Sequence, residues 1–260
     1  MPIGAITSYI DVAQVVLYVF WIFFAALVYY LLRENKREGY PLHSDRTRNT
    51  DRLVVQGFPK MPRAKVFRLA DGREISAPLT KADARPLQAR PVAAWPGAPL
   101  VPIGDPMQAG VGPGTWTERA DAPDLTFDGQ PRIVPMRLQP DYRVASEDPD
   151  PVGMPVIGAD GRQAATIVEV WVDRAESVIR FFELALAGDP QSRVLLPSGF
   201  ARLDRKTRAI HVRSLLASQF RGVPARAHAD SVTLREEERI MAYYGAGTLY
   251  ATPARQESLL

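Results

Sequence analysis

The stretch VAQVVLYVFWIFFAALVYYLL at residues 12–32 decides the fold of this chain. Its 21 residues carry no charge, and Gln14, which we expect water or headgroups to satisfy, is the one strongly polar side chain. A helix of that length rises roughly 30 Å, which is the thickness of the hydrocarbon core of a bilayer. Because a lone segment satisfies its backbone hydrogen bonds in lipid only as a helix, the stretch predicts one transmembrane helix.

The residues that flank this stretch differ in charge. Residues 1–11 hold no Lys or Arg, whereas Arg33, Lys36 and Arg37 follow the apolar stretch directly. The positive-inside rule therefore predicts a periplasmic N-terminal tail at 1–11 and a cytoplasmic chain after residue 32. A cleaved signal peptide would begin with basic residues and have a shorter apolar core, and the buried helix of a soluble protein would also be shorter. We therefore expect a permanent anchor.

The composition excludes several kinds of site. The chain of 260 residues has no Cys, which rules out disulfides, thiolate metal sites, iron–sulfur clusters and cysteine nucleophiles. Its three His residues stand far apart in the sequence, so we expect no metal site. The 32 basic and 29 acidic side chains are well mixed and give a net charge of +3, unlike the clustered charge of a nucleic-acid-binding protein. We expect no nucleic-acid partner.

Residues 33–152 form a proline-rich segment. Eighteen of the 23 prolines lie within 41–155, and proline opposes helices and central strands because it lacks a backbone N–H. Apolar residues such as Phe58 and Trp116 recur here, which is not typical of a solvated linker. We therefore predict extended backbone laid over another surface. The predicted elements are strands at 65–69 and 74–77, joined by a turn at Asp71-Gly72, and the prolines at 85–99 predict extended and turn backbone without regular elements.

Residues 153–228 are predicted to form a small antiparallel barrel or sandwich. Two runs rich in β-branched and aromatic residues, ATIVEVWV at 165–172 and SVIRFFELAL at 177–186, predict a pair of strands. The four residues at 173–176 between them predict a hairpin tip. Further strands are predicted at 193–197, 200–204 and 209–213.

Residues 229–260 are predicted to hold a C-terminal helix and a tail. Thr233 and Glu236 have the spacing of a capping box, which predicts Thr233 as the N-cap. We predict a helix over 234–244 that ends at Gly245, since glycine commonly follows the last helical residue. The residues predicted on its mostly apolar face are Leu234, Glu238, Ile240, Met241, Tyr243 and Tyr244.

Four segments carry a resemblance to a known family, in the order of that family and over nearly the whole chain. They are WIFFAALVYYLLRENKREGYPL at 21–42, GDPMQAGVGPGTW at 104–116, IVEVWVDRAE at 167–176 and EEERIMAYYGAGTLY at 236–250. The chain resembles the H subunit of the photosynthetic reaction centre of purple bacteria, and residues 155–225 are similar to the PRC-barrel. The resemblance implies a single N-terminal transmembrane α-helix plus a mainly β cytoplasmic domain, a PRC-barrel-like small antiparallel barrel, with a C-terminal helix.

The resemblance implies a pigment-free, non-enzymatic subunit of a light-driven electron-transfer complex in the bacterial inner (intracytoplasmic) membrane. Such a subunit caps the cytoplasmic face of the L and M subunits, stabilises the complex, shields the quinone sites and assists proton delivery to the secondary quinone. The partner subunits would carry bacteriochlorophyll, bacteriopheophytin, quinones, non-haem iron and carotenoid. Further partners that the resemblance suggests are the core light-harvesting antenna, a cytochrome subunit of the same complex, and an anionic lipid such as cardiolipin.

The resemblance also implies which acidic residues move protons. Asp173 and Glu176 match the acidic pair of the family, and Arg180 matches a basic residue that would bias their ionisation by its charge. Some members carry two His before the Pro-Met that is here 135–136, but Asp128 is the one titratable side chain in the corresponding stretch of this chain. An unperturbed Asp has a pKa of about 3.9, so proton entry is expected to differ, through Asp128 or another surface group. From the residues alone, a solvated hairpin tip is the competing interpretation.

Two further sets of residues are predicted to make contacts at the membrane. Arg33, Lys36 and Arg37 stand at headgroup depth, where they either set the topology alone or also bind anionic lipid. Ala25 and Ala26 allow a neighbouring helix to approach closely. No residue is expected to be catalytic.

Two other classes of protein compete with this interpretation. A membrane-tethered PRC-barrel adaptor that binds RNA or ribosomal protein would need a compact basic patch and would not need the proline-rich segment. A membrane-bound hydrolase would need a nucleophile with its base, and the sequence contains neither G-x-S-x-G nor H-E-x-x-H.

Overall fold

The computed structural model describes residues 4–7, 10–40, 58–70, 72–77, 85–95 and 97–256. The chain divides into two units, Met1–Ala82 and Asp83–Leu260. Parts of the predicted 1–11 tail and of the proline-rich segment, together with Asp71 of the predicted turn, lie outside the described residues.

Helix α1, Val12–Arg37, contains the predicted span and continues past it. Asp11 is its N-cap, and Gln14 closes a capping box: the Gln14 backbone N–H donates to Asp11 Oδ1 at 2.7 Å, and Gln14 Oε1 accepts from the Asp11 backbone N–H at 3.2 Å. The side-chain oxygen of Gln14 is therefore satisfied by the chain itself, and its amide N–H groups are left for water or headgroups. None of the residues of α1 is buried within the described chain, so its apolar surface requires lipid or another protein to cover it. It is the one helix of the described residues that is long and apolar enough to cross a membrane.

The last turns of α1 contact residues of the segment that follows the helix. Glu34 accepts from Arg37 Nε and from Lys65 Nζ, both at 2.9 Å, so the helix end is tied to a later strand. That strand, β1 (Lys65–Arg68), pairs antiparallel with β2 (Glu74–Ala77) in the register Lys65↔Ala77. The hairpin predicted from the sequence is confirmed within one residue.

The second unit contains a short hairpin that starts within 85–99, where extended and turn backbone without regular elements was predicted. Strand β3 (Ala89–Pro91) pairs antiparallel with β4 (Leu100–Pro102). The prediction is wrong here because each proline stands at the end of its strand, where a missing N–H costs little pairing.

A seven-stranded sheet forms the centre of the second unit. Its strands are hydrogen-bonded in the order β10-β11-β6-β7-β8-β9, and β5 pairs with β7 beside this path. The neighbours are antiparallel except β11 and β6, which are parallel. Two register shifts along β7 and β8, of the kind that β-bulges produce, bend and twist this pair of strands. The strands are β5 (Ile133–Pro135), β6 (Pro155–Ile157), β7 (Gln163–Asp173), β8 (Val178–Leu186), β9 (Asp189–Pro197), β10 (Arg202–Asp204) and β11 (Ala209–His211).

The strands confirm the β prediction for this part of the chain and extend it. β7, β8 and β9 start or end a few residues from the predicted bounds, and a 3-10 turn at Ser198–Phe200 replaces the beginning of the predicted strand at 200–204. β5 and β6 were not predicted, because three residues beside prolines give no recognisable alternation.

Helix α2, Leu234–Tyr250, begins at the predicted N-cap but does not end at Gly245. A Cβ added at Gly245 would lie 2.3 Å from the carbonyl oxygen of Pro113, and one at Gly247 would lie 2.4 Å from that of Ser214. These glycines therefore serve a close backbone crossing inside the helix and do not terminate it.

The core lies between the sheet and α2. Ile240, Tyr243 and Tyr244 are buried on the helix as predicted, whereas Met241 is exposed and the prediction for it is wrong. Tyr244 stacks at a tilt against Phe200 and edge-on against Phe220. The largest fully buried side chains are Trp171, Tyr244, Phe181, Phe220, Ile167, Leu184, Leu195, Leu196, Ile210, Leu215, Ile240 and Val156.

Candidate functional site

Three elements meet around Arg132: the β7–β8 tip, the segment that precedes β5, and the first turn of α2. The pairing of β5 with β7 sets Ile133 opposite Asp173, so Arg132 arrives beside the end of β7. The Arg174 backbone N–H donates to the carbonyl oxygen of Arg132 at 3.0 Å and continues this pairing into the tip. The backbone pairing thus brings the Arg132 side chain to the end of β7.

The Arg132 guanidinium contacts three carboxylates. Its Nε donates to Asp173 Oδ1 at 2.9 Å, and its Nη2 lies 2.8 Å from Asp173 Oδ2. Nη2 also pairs with Glu176, and Nη1 lies 3.3 Å from Asp124 Oδ2. We call Arg132, Asp124, Asp173 and Glu176 the Arg132 cluster.

Asp173 is the buried anion of this cluster, since it is only 1% exposed. Its Oδ1 also accepts the backbone N–H groups of Ala175 at 3.0 Å and Glu176 at 3.1 Å. Burial alone would raise the pKa of Asp173, but the hydrogen bonds from Arg132 and from the two backbone N–H groups outweigh it and hold the pKa below its usual value. Asp173 therefore stays ionised and acts as a fixed negative charge.

Glu176 differs from Asp173 because it faces solvent. Its side chain is 56% exposed while it pairs with Arg132. A carboxylate in that position reaches bulk water on one side and the buried part of the cluster on the other.

Glu237 brings a second kind of acid to this region. It lies in the first turn of α2, and its burial raises its pKa from 4.5 to about 7, against the opposing effect of the positive charges of Arg180, Arg119 and Arg132. Asp124 adds to the rise by its negative charge. Glu237 is thus a half-buried carboxyl that exchanges its proton near neutral pH.

The start of α2 is fixed in place against the segment before β5. Thr233 Oγ1 donates to Asp121 Oδ1 at 3.0 Å, and the Leu234 backbone N–H donates to the carbonyl oxygen of Ala122 at 3.0 Å. The Thr233–Glu236 capping box that the sequence predicted is present, with Glu236 N–H to Thr233 Oγ1 at 3.1 Å. These bonds hold Glu237 in the field of the Arg132 cluster.

The predicted proton-transfer residues are placed differently from one another. Asp173 and Glu176 come together on one guanidinium. Arg180 is exposed, and its charge acts on Glu237, whereas the ion pairs to the predicted acids come from Arg132. Asp128 is exposed at the tip of a turn in which the Thr126 backbone N–H donates to the carbonyl oxygen of Gln130.

Sequence reasoning missed Arg132, Asp124 and Glu237. Arg132 and Asp124 lie among prolines and short bridges that give no periodic signal. Glu237 stands in a run of three glutamates, and no local signal distinguishes it from Glu236 and Glu238.

The residues predicted to contact the membrane differ in how many contacts they make within the chain. Arg37 has a side chain only 8% exposed, and it pairs with Glu34 and donates to the carbonyl oxygen of Arg63. Lys36 donates to the carbonyl oxygen of Pro59, while the Arg33 guanidinium lies 5.7 Å from the centroid of the Tyr29 ring. The prediction of lipid binding stays open, with Arg33 the least engaged of the three. Ala25 and Ala26 are exposed on α1.

Two family models match the chain. The model of the photosynthetic reaction centre, H-chain N-terminal region, matches residues 4–138, which is more than half of the chain. The chain belongs to the reaction-centre H-chain family. The PRC-barrel domain model matches residues 144–217 of this H subunit. Membership confirms the resemblance seen in the sequence, makes the chain a structural subunit associated with the reaction-centre complex, and indicates a single-pass membrane protein.

The residues of the site in this H subunit lie in different matched regions. Arg132 and Asp124 lie in the H-chain region, Asp173 and Glu176 lie in the PRC-barrel region, and Glu237 lies after both. The Arg132 cluster therefore exists only where the H-chain region and the PRC-barrel region fold together, and the charge of Arg132 and Asp124 acts on Glu237 from there.

Proposed function

We propose that this subunit caps the cytoplasmic face of the L and M subunits, shields the quinone sites and assists proton delivery to the secondary quinone during light-driven quinone reduction. The observation that carries the proposal is the Arg132 cluster, in which a fixed anion and a solvent-facing carboxylate share one guanidinium near Glu237.

The chemistry of quinone reduction requires such a group of residues. Reduction to the quinol takes two electrons and two protons, and a buried site receives protons through groups that exchange them near ambient pH. Glu176 would take protons from water, and Glu237 would hold and release them. Asp173, kept ionised by Arg132, would supply the negative charge that favours proton entry without itself carrying a proton.

Exposed apolar side chains support the capping role. The hairpin β3–β4 and its surroundings present Leu87, Trp95, Leu100 and Ile103 on the surface of the described chain. Apolar surface of this kind is typical of a face that another protein covers. We infer that this face lies on the partner subunits, and that α1 packs beside their helices through Ala25 and Ala26.

The remaining parts of the proposal concern the surroundings of the chain. The N-terminus would be periplasmic and the bulk of the chain cytoplasmic, in the bacterial inner (intracytoplasmic) membrane. Bacteriochlorophyll, bacteriopheophytin, quinones, non-haem iron and carotenoid would be carried by partner subunits, and the core antenna and a cytochrome subunit would be neighbours. Cardiolipin or a similar anionic lipid would lie near Arg33.

Kinetics of proton uptake test the proposed role. In purified reaction centres that carry this subunit, we expect Glu176→Gln and Glu237→Gln each to slow flash-induced proton uptake and the second electron transfer by about tenfold, since one general acid–base group contributes at least that much. The first electron transfer should not change, because it is not coupled to proton arrival. Glu147→Gln, at an exposed residue outside the cluster, is the matched control. Unchanged proton uptake in both variants would refute the assignment.

A further inference from the structure

A groove on the β10–β11 side of the second unit concentrates positive charge. Two cavities, of about 520 and 590 Å³, share the residues Arg202, His211 and Arg213 in their walls. Arg202 and His211 are cross-strand partners on β10 and β11, so the register sets their side chains at one place. Asp204 is the single acidic residue in the lining of either cavity. The basic and imidazole side chains of the groove are Arg202, Arg205, Lys206, His211, Arg213 and Arg255.

Most of this charge is not neutralised. Asp204 Oδ1 accepts the backbone N–H groups of Lys206 at 2.8 Å and Thr207 at 3.4 Å, and its single negative charge offsets only part of the arginine and lysine charge of the groove. Arg205 is paired with Asp148, outside the groove, at 2.6 Å. Within the described part of the chain, Arg202, Lys206 and Arg213 have no carboxylate within 4.0 Å. The groove therefore keeps a strong positive potential.

A buried hydroxyl in the same wall lacks a partner. Ser214 lines the first cavity and is 4% exposed, and its Oγ has no hydrogen bond within the described chain. Because this oxygen is covered by the protein, it does not face the space of the cavity, and the guanidinium groups are the polar atoms open to a ligand. The Arg255 guanidinium donates to the carbonyl oxygens of Arg213 at 2.8 Å and Ser214 at 2.9 Å, which holds this wall in one conformation.

We propose that this groove binds a phosphate group, carried either by a free phosphorylated compound or by a lipid headgroup. Two guanidinium groups without a carboxylate partner match the oxygens of a phosphate in geometry and charge. The volume of each cavity lies within the range of small-molecule sites. The groove shares no residue with the Arg132 cluster, so the inference extends beyond the proposed function and does not depend on it.

Calorimetric titration of the full chain in detergent tests this site, with inorganic pyrophosphate as the probe at an ionic strength of about 150 mM. We expect a Kd below about 1 mM. The double variant Arg202→Gln with Arg213→Gln should weaken binding at least tenfold, because it removes two charge-assisted contacts. Arg193→Gln, at an exposed arginine of β9 that does not line the groove, should change it less than twofold, and equal melting temperatures show that each variant is folded.

Two further probes separate the sources of the phosphate. The first probe is dihexanoyl phosphatidic acid, with dihexanoyl phosphatidylcholine as the control that should not bind. If phosphatidic acid binds at least tenfold more tightly than pyrophosphate, the ligand is a lipid headgroup. If pyrophosphate binds at least tenfold more tightly, the ligand is a free phosphorylated compound. Binding of neither phosphate probe, or binding that the double variant and Arg193→Gln weaken equally, overturns the proposal. Tighter binding of hexaglutamate than of both phosphate probes also overturns it and assigns the groove to an acidic protein partner.

Discussion

Asp173 and Glu237 are acids of one region, but their surroundings move their pKa values in opposite directions. Asp173 is the more buried, yet a guanidinium and two backbone N–H groups stabilise its charged form. Glu237 is half-buried and has no hydrogen-bonded cation among the described residues, so its neutral form is favoured and its pKa rises to about 7. A residue type therefore does not fix a role in proton transfer; the partners of the side chain do.

The substitution Asp173→Asn tests the fixed anion. It leaves Arg132 half-buried with one carboxylate fewer, and we expect a loss of about 2 kcal/mol in the free energy of unfolding at pH 7. Because the pKa of Asp173 is lowered by folding, its contribution is present above its unfolded value of 3.8 and is lost as the pH falls. Urea unfolding of the full chain in detergent, at pH 7 and at pH 3.5, measures the loss of stability and its dependence on pH. Asp128→Asn, at an exposed acid, is the control, and equal losses in the two variants would contradict the buried-anion assignment.

The pH dependence of stability tests Glu237. Between pH 4.5 and about 7 the folded chain keeps a proton that the unfolded chain has released, so the contribution of Glu237 to stability is full below pH 4.5 and is lost as the pH rises through 7. Glu237→Gln removes this slope. Relative to the parent chain, the variant should gain up to about 3 kcal/mol at pH 8 and nothing at pH 4.5. A difference between variant and parent that does not change with pH would contradict the raised pKa.

At the scale of elements, α2 matters because it crosses another backbone closely. Its glycines lie where the segment around Pro113 and the loop at Ser214 touch the helix. This crossing holds the C-terminal half of the helix against the rest of the second unit.

The substitution Gly245→Ala tests the crossing. In an exposed helix it would stabilise by up to about 1 kcal/mol, but here the added Cβ meets the carbonyl oxygen of Pro113. We therefore expect a net destabilisation of about 1–3 kcal/mol, measured by urea unfolding of the full chain in detergent. Gly199→Ala is the control, since a Cβ there meets nothing within 4 Å. A stabilised Gly245→Ala variant would show that the crossing is loose.

At the scale of the whole molecule, the chain leaves apolar surface uncovered. Every residue of α1 is unburied within the described chain, and the second unit also presents large apolar side chains to its surface. Both features are accounted for by a subunit that folds onto a larger membrane complex.

Co-purification tests this assignment. An affinity-tagged full chain, solubilised in mild detergent from a phototrophic host, should elute with bacteriochlorophyll-containing subunits, and removal of residues 1–32 should abolish the association. A variant with Ala25 and Ala26 both changed to Leu should weaken it, because bulkier side chains keep a partner helix at a distance. Elution of the full chain without pigment would contradict membership of the complex and favour a free adaptor.

The sequence determined those features that depend on near neighbours along the chain. The apolar stretch at 12–32, the tip at 173–176, the Thr233 cap and most of the sheet follow from local periodicity, charge and propensity. The family resemblance rested on four such segments, and the H-chain and PRC-barrel matches confirm it.

The tertiary structure alone decided the electrostatics of the site and the length of α2. Arg132 meets Asp173 across 41 residues, and the pKa of Glu237 depends on burial that no window of the sequence reveals. Gly245 was predicted to end the helix because its local signal is the same for a stop and for a close crossing, and only the position of Pro113 distinguishes them. Local patterns specify elements, whereas the charge and burial of a side chain are set by distant residues that arrive only on folding.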